Sequence, residues 1–450
     1  MTLAIGVRFL RGGLSVRLLC LLVWMAGCTS TSAPPSPRSA YTGSPRPNVV
    51  IYLVDTLRAD RLGTYGYAKD TTPHMDAFAK TGVVFENAIA PDTCTVGSAP
   101  SLLTGQYTVT HGVDAFGKQV ASDVPMLQTL LDASGYECGS FITNVNAGPS
   151  VGLDRGFRTL HDAVRTFRDR KALRTVPLPA IETWLDGVDT RPFFLYVHTA
   201  EPHRPYTPPS PWKENFDDGY TGEITGVYRG KNGYEHAKTP QDRAHVRALY
   251  DGEVAFADAG FGALLQALEQ RGLRENTVIV LTSDHGEELF DHGGWNHGHS
   301  VYRELAHIPL IVSGPGIPAG VRVPELVSLV DVTPSVLERV KVKGSAGFEG
   351  RSLWKPDPER AVFTRSSYLP RKAAMRKGEW TLIQNEREET SLFHRGRDPL
   401  ELTDVSGLFP QRVASMRAQL RAWLAGQTHR PVRALSAEET ERLRLLGYIE

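Results

Sequence analysis

Cysteine is scarce, with four in 450 residues. Cys20 and Cys28 lie in the N-terminal segment, so only Cys94 and Cys138 fall in the body, and a disulfide-stapled fold is excluded. A Cys94–Cys138 bridge is open to the chain in an oxidising compartment, but two ordinary buried thiols are expected. Net charge is also absent. Lys and Arg total 50 against 50 Asp and Glu, which excludes both the global footprint of a nucleic-acid binder and a strongly acidic, solvating chain. Any charged ligand must therefore be met by a local site. No apolar run reaches the ~20 residues that cross a bilayer, and no internal repeat is visible. What remains is ordinary for a globular enzyme: 41% hydrophobic and 22% charged residues, against collagen, coiled coil or disorder. Length suggests about two or three domains, although large α/β enzymes often keep one sheet.

Arg8, Arg11 and Arg17 precede the short apolar run Leu18 to Ala26 (LLCLLVWMA), the pattern of an export signal. The run closes on Met25-Ala26-Gly27-Cys28, which resembles a bacterial lipoprotein processing box. The expectation is a signal peptide over 1–27, an acylated Cys28 holding the chain to a membrane, and a location facing the periplasm or cell surface. A plain secretory signal or an uncleaved anchor are the alternatives. Residues 28–46 are Ser/Pro-rich and too poor in apolar surface to order themselves, so they read as a tether.

In the body, Asn48 to Val54 (NVVIYLV) is a continuous β-branched and apolar run, as expected of a strand buried on both faces of a parallel sheet. Phe193 to Val197, Val278 to Leu281 and Pro309 to Val312 repeat the pattern. Helical periodicity lies between them, at Val124 to Ser134 with Asp123 as cap, and from about Asp242 to Gln270. Alternating strands and helices predict an α/β/α sandwich around a large, mostly parallel sheet, with ligands at the C-terminal strand ends. Residues 201–239, rich in Pro, Gly and Tyr, read as a long loop near the site. From about Gly344 onward, short alternating pieces at Ala361 to Thr364, Trp380 to Ile383 and Ser391 to His394 predict a small antiparallel sheet, followed by a helix over Gln411 to Leu424. The division expected is a catalytic domain over 47–343 and an α+β subdomain over 344–450.

Two of the strands end in acid. Asp55 follows NVVIYLV, and Asp284-His285-Gly286 follows VIVLTS. A lone Asp there is often a helix cap. Asp-His-Gly at a strand mouth instead sets a carboxylate and an imidazole side by side, and with Asp55 this makes three ligands for a cation. An open site takes its fourth ligand from a nucleophile or water.

The ordered segments Asn48 to Tyr67, Thr72 to Phe85, Ser101 to Gly105 (SLLTG), Thr199 to Tyr206 (TAEPHRPY), Leu281 to Glu287 (LTSDHGE) and Val327 to Leu337 resemble the sulfatase branch of the alkaline phosphatase superfamily. Leu392 to Leu402 resembles that family's closing subdomain. The resemblance implies ester hydrolysis with one divalent metal held by Asp55, Asp284, His285 and the nucleophile. The chain departs from the family at the nucleophile itself. Family sulfatases carry C-x-P-S-R ahead of A-S-L-L-T-G and convert the Cys to formylglycine. Registering on Ser101 to Gly105 places Thr95 at the nucleophile, Gly97 at the Pro, Ser98 unchanged and Ala99 at the Arg. Formylglycine is therefore not expected. A threonine ester has no second hydroxyl from which to eliminate and must be cleaved by water, which phosphorus tolerates better than sulfur.

The resemblance also assigns His203 to a substrate oxygen. It sets His299, with His297 close behind, where relatives contact the ester or protonate the leaving group. Asn144 falls near a catalytic Lys of formylglycine enzymes, where its amide has a phosphate oxygen to donate to. Arg58 is either an anion contact or a structural ion pair, and Glu253 and Asp258 read as packing groups. With Asp55-Thr56 in place of two adjacent aspartates, and His285 in place of Asn, the site moves from Ca²⁺ toward Mn²⁺ or Zn²⁺. The function expected is hydrolysis or transfer of phosphate mono- or diesters, borne by small molecules, glycans or lipid headgroups. Hydrolysis of sulfuric esters without formylglycine is the rival, and an inactive surface-tethered binding lipoprotein the second.

Overall fold

The computed structural model describes residues 46–162, 176–216, 218–344 and 346–445. The expected signal and nearly all of the tether lie outside the described residues. The strands, in chain order, are β1 (Asn48–Val54), β2 (Val83–Ile89), β3 (Glu137–Ile142), β4 (Thr159–Asp162), β5 (Phe193–Thr199), β6 (Thr277–Ser283), β7 (Glu288–Leu289), β8 (Trp295–Asn296), β9 (His307–Ile308), β10 (Leu310–Ser313), β11 (Val321–Ser328), β12 (Ala361–Arg365), β13 (Lys372–Lys377), β14 (Trp380–Asn385) and β15 (Thr390–His394). The main sheet runs β11-β2-β10-β6-β1-β5-β3-β4, with β9 paired to β2. Strands β6, β1, β5, β3 and β4 are all parallel. Every residue of β1, β5 and β6 is buried, as their unbroken apolar runs require for strands covered on both faces. One apolar cluster holds Val49, Ile51 and Leu53, the other Val50, Tyr52 and Val54, so alternate residues of β1 feed the two layers of the sandwich.

The strand read at Pro309 to Val312 exists as β10, but it runs antiparallel to β6 and β2. The chain between β6 and β9 holds only the short β7–β8 hairpin and a single helical turn, Arg303–Ala306. Without a crossover helix the strand returns antiparallel. The long helix spans Pro240–Gln270, and the Thr239 hydroxyl accepts from the Asp242 amide while the Asp242 carboxylate accepts from the Thr239 amide, closing a capping box at 3.1 and 3.0 Å. The helix expected from Asp123 begins later, at Leu127–Ala133. Pro125 disfavours helical backbone at Val124, so Met126 becomes the cap residue.

The C-terminal sheet is antiparallel, in the order β12-β13-β14-β15. Its strand β13 was not expected, because KAAMRK lacks a clear period-two pattern. The helix Pro410–Ala425 covers this sheet through Met416 and Leu420, which pack with Met375, Leu382 and Leu392. Among the described residues no helix is long and apolar enough to cross a membrane.

Candidate metal centre and nucleophile turn

Because β6, β1 and β5 are neighbours in register, their C-terminal ends deliver side chains to one point. Asp55 follows β1, Asp284 follows β6, and His198 sits opposite Leu53 in β5. All three are fully buried, and one ligand atom from each lies within 4.8 Å of the others. Thr56 adopts φ +58°, a left-handed turn uncommon for a β-branched residue. The turn brings its amide to 3.2 Å from Asp284 Oδ1, which also accepts from the His285 amide at 2.9 Å.

His285 donates from Nδ1 to the Gly286 carbonyl at 2.9 Å, which fixes its tautomer and leaves Nε2 as the acceptor. That nitrogen lies 3.6 Å from Asp284 Oδ2 and 3.9 Å from Asp55 Oδ1. Opposite it, His198 Nε2 lies 3.9 Å from Asp55 Oδ2 and 4.0 Å from Asp284 Oδ2. Burial acts to raise the Asp284 carboxyl, but His285, His198 and the Thr95 hydroxyl hold it well below the usual carboxylate range. Asp284 Oδ2 and both ring nitrogens of His198 have no hydrogen-bond partner among the described residues. Buried polar atoms left so are costly, about 1–3 kcal/mol each. A divalent cation held by Asp55, Asp284 and His198 would satisfy the Asp284 oxygen and one His198 nitrogen, so the residues present fit a metal.

Of the ligands read from the sequence, Asp55, Thr95, Asp284 and His285, the candidate cation group contains Asp55 and Asp284, with His285 and Thr95 beside it. It adds His198, which the sequence reading passed over. The only signal was a histidine breaking an otherwise apolar buried strand.

Thr95 opens the helix Thr95–Thr104, with Cys94 in extended backbone as its cap residue. Its Oγ1 lies 3.4 Å from His285 Nε2 and 3.5 Å from Asn144 Nδ2. Asn144 accepts from the Asn146 amide through Oδ1 at 2.9 Å, so Nδ2 faces the site and donates to Asp55 Oδ2 at 2.6 Å. Ser98 Oγ ties the first helical turn to the Asp284 carbonyl at 2.7 Å. Cys94 is placed differently. Its thiol is 3.5 Å from the Tyr368 hydroxyl, and burial beside Asp92 pushes it up to about 12. Cys94 and Cys138 are both unbridged and buried.

The departures in the nucleophile segment have a packing basis. Ala99 is fully buried in the apolar core, with no role for a guanidinium. At Gly97, an added Cβ would lie 2.5 Å from Asp92 Oδ2 and 2.6 Å from its Cγ. Asp92 is held in turn by the C-terminal subdomain. It bridges to Arg365 in parallel fashion and accepts from Ser367 Oγ at 2.8 Å. Tyr368 from the same segment donates its amide to the Gly298 carbonyl at 2.8 Å. Gly97→Ala is therefore expected to cost about 1–3 kcal/mol, as overpacking does, and to slow turnover by displacing Thr95. Denaturant midpoints and kcat measured together check both.

Of the remaining predicted residues, His203 and His297 join the site. The His297 ring centroid lies 4.6 Å from that of His285 and 5.0 Å from that of His203. His203 donates from Nδ1 to the Arg204 carbonyl at 2.8 Å. His297 pairs through Nδ1 with Glu287 Oε1 at 2.9 Å, and both are fully buried. Burial, the neighbouring His285 and Arg204 hold the His297 imidazole well below its ordinary range, in the neutral form. His299, preferred on sequence, is instead engaged by Glu288 Oε2 at 2.8 Å, with its side chain 34% exposed. Gly298 at φ +80° sends the two rings to different carboxylates. Arg58 is a structural ion pair, binding Asp60 and Asp291 at 2.7 Å each and the Glu287 carbonyl at 3.1 Å. Glu253 accepts from the Thr207 amide, and Asp258 from the His74 and Met75 amides, consistent with packing roles. A cavity of about 860 Å³ lies between the 205–226 loop and the long helix, walled by Tyr206, Phe216, Tyr220, Leu249 and Phe256. None of the metal-turn residues lines it.

Comparison with known proteins agrees with this geometry. The sulfatase family model matches residues 47–342. The ulvan-active sulfatase of Formosa agariphila is 28% identical over 356 residues, 70% of this chain and 66% of that protein. Arylsulfatase K of Rattus norvegicus is 29% identical over 291 residues, 53% of this chain and 50% of its own length. The chain therefore spans between half and two thirds of these two curated relatives. In fold, the phosphonate monoester hydrolase of Agrobacterium radiobacter superposes with a TM-score of 0.72 at 22% identity, over 84% of this chain and 96% of that one. With the family model covering well over half its length and the ligand turns in place at the strand ends, the chain belongs to the sulfatase family.

Proposed function

We propose that the protein is a metal-dependent hydrolase or transferase of phosphate esters in which the Thr95 hydroxyl is the nucleophile. The observation that carries this is the orientation of the nucleophile turn: Thr95, not Cys94, faces His285 and Asn144 beside the paired carboxylates. A divalent cation, Mn²⁺ or Zn²⁺ by the two-imidazole donor set, supplies the charge that lowers the hydroxyl pKa and offsets the anion.

The chain's residues do the rest. Thr95 Oγ1 attacks phosphorus from the N-terminal end of a ten-residue helix, whose dipole favours the anion there. Asn144 Nδ2 donates to a non-bridging oxygen, and His203 orients the ester oxygens. His297 lies neutral and buried beside them, outside the attack itself. Ester-bearing glycans, lipid headgroups or small molecules are the substrate class, reached by a lipid-anchored chain outside the cytoplasm.

The test is a matched series of aryl phosphate, aryl phosphodiester and aryl sulfate. A phosphate ester is expected to exceed the sulfate in kcat/KM by at least about tenfold, or ~1.4 kcal/mol in the barrier. Faster sulfate turnover overturns the reading. Hydrolysis of sulfuric esters is the second reading, favoured by the names of the relatives, ulvan-active sulfatase and arylsulfatase K. The peptide around Cys94 tests cheaply for formylglycine. Its mass is expected to show an unmodified thiol, because the burial of Cys94 and the Gly97-Ser98-Ala99 context leave no formylglycine site. An aldehyde there favours the sulfatase.

A further inference from the structure

A threonyl phosphate, once formed, must be opened by water, and water needs a base. The glutamate of the Asp284-His285-Gly286-Glu287 turn was given no role of its own in the sequence, yet it is fully buried and bound to His297. Glu287 Oε1 lies 2.9 Å from His297 Nδ1. With Glu287 ionised, its carboxylate accepts only, so Nδ1 carries the proton and Nε2 becomes the accepting nitrogen of the ring. The ring is then fixed on three sides: by Glu287, by His285 at 4.6 Å between centroids, and by His203 at 5.0 Å. Glu287 is itself anchored, since its carbonyl takes the Arg58 guanidinium at 3.1 Å and Arg58 is clamped by Asp60 and Asp291. An acid that orients an imidazole so that its other nitrogen works on a nucleophile is the arrangement of known hydrolytic triads. Here the nucleophile is water.

We infer that Glu287 is a positioning residue that fixes the tautomer of His297, making Nε2 the general base for hydrolysis of the Thr95 ester. In that step a water oxygen bonds to phosphorus, the bond from phosphorus to Thr95 Oγ1 breaks, and the water's proton passes to His297 Nε2 and then to the departing Thr95 oxygen. No oxidant or second reactant is required. The inference rests on the threonine reading above, but it concerns only the second half of the reaction.

Glu287→Gln and His297→Gln, each loaded with metal, separate the two halves. With an aryl phosphate, both variants are expected to keep the initial burst of phenol while steady turnover falls by about 10²-fold, and phosphorylated Thr95 should accumulate in the mass spectrum. The double variant should be no slower than either single one, metal content should match the wild type, and Glu287→Asp, which keeps a carboxylate, should recover part of the rate. Additive losses overturn the inference, as does loss of metal from Glu287→Gln or a burst that falls in step with steady turnover. If the wild type shows no burst and no adduct at Thr95, the threonine reading fails with it. A burst followed by unchanged turnover in Glu287→Gln removes this inference alone.

Discussion

Thr95→Ala is expected to lower kcat by about 10⁴-fold or more, the loss typical of removing a nucleophile whose partners act as a unit. The two nearest candidates in the same segment are otherwise engaged. Ser98 Oγ is spent on the Asp284 carbonyl, and the Cys94 thiol points to Tyr368 and is held protonated by burial. Thr95→Ser should retain most of the rate, because the oxygen survives and only the methyl that restrains χ1 is lost. Cys94→Ala should leave turnover close to the wild type while opening a small cavity against the core. Single-turnover kinetics on the three variants decide the matter. Full activity in Thr95→Ala with none in Cys94→Ala would move the nucleophile by one residue.

Removing the metal is the second large effect. Asp284 meets both imidazoles of the centre and, through Oδ1, the amides of Thr56 and His285. Asp284→Asn keeps the volume but removes the charge that offsets a cation, so activity should fall to background. The sharper readout is thermal. A wild-type chain holding the ion at about 100 times Kd gains about 2.7 kcal/mol, and its unfolding midpoint should rise with added Mn²⁺ or Zn²⁺. Asp284→Asn should show no such rise. His198→Ala should weaken the response without abolishing it, since Asp55 and His285 remain. A metal-independent midpoint in the wild type would remove the centre altogether.

How far the sequence spoke for this site depended on whether the information was local. Asp55 and Asp284 stood out because each closes a mainly apolar strand, and a chain leaving a buried strand has few reasons to place a carboxylate there. Thr95 was legible from its distance to Ser101 to Gly105. His198 was not, because a lone histidine in FFLYVHT gains meaning only when β5 lies beside β1 in the sheet, which is a non-local fact. The preference for His299 over His297 had as little to rest on, for a similar reason. Two imidazoles around Gly298 look alike in sequence, and only the left-handed glycine and the placement of Glu287 and Glu288 distinguish them. The direction of β10 was lost because an apolar run carries no polarity. The missing crossover helix carried that information, and it lay in the connection rather than in the strand.

The segment 365–368 reaches back from the small sheet to touch Asp92, Cys94 and Gly298. This sets a rule for engineering the enzyme. A chimera that exchanges the carboxy-terminal third for that of another family member also exchanges the abutment behind the Thr95 turn, so its rate and its ester preference should shift together even when every ligand and every loop over the mouth is left as it was.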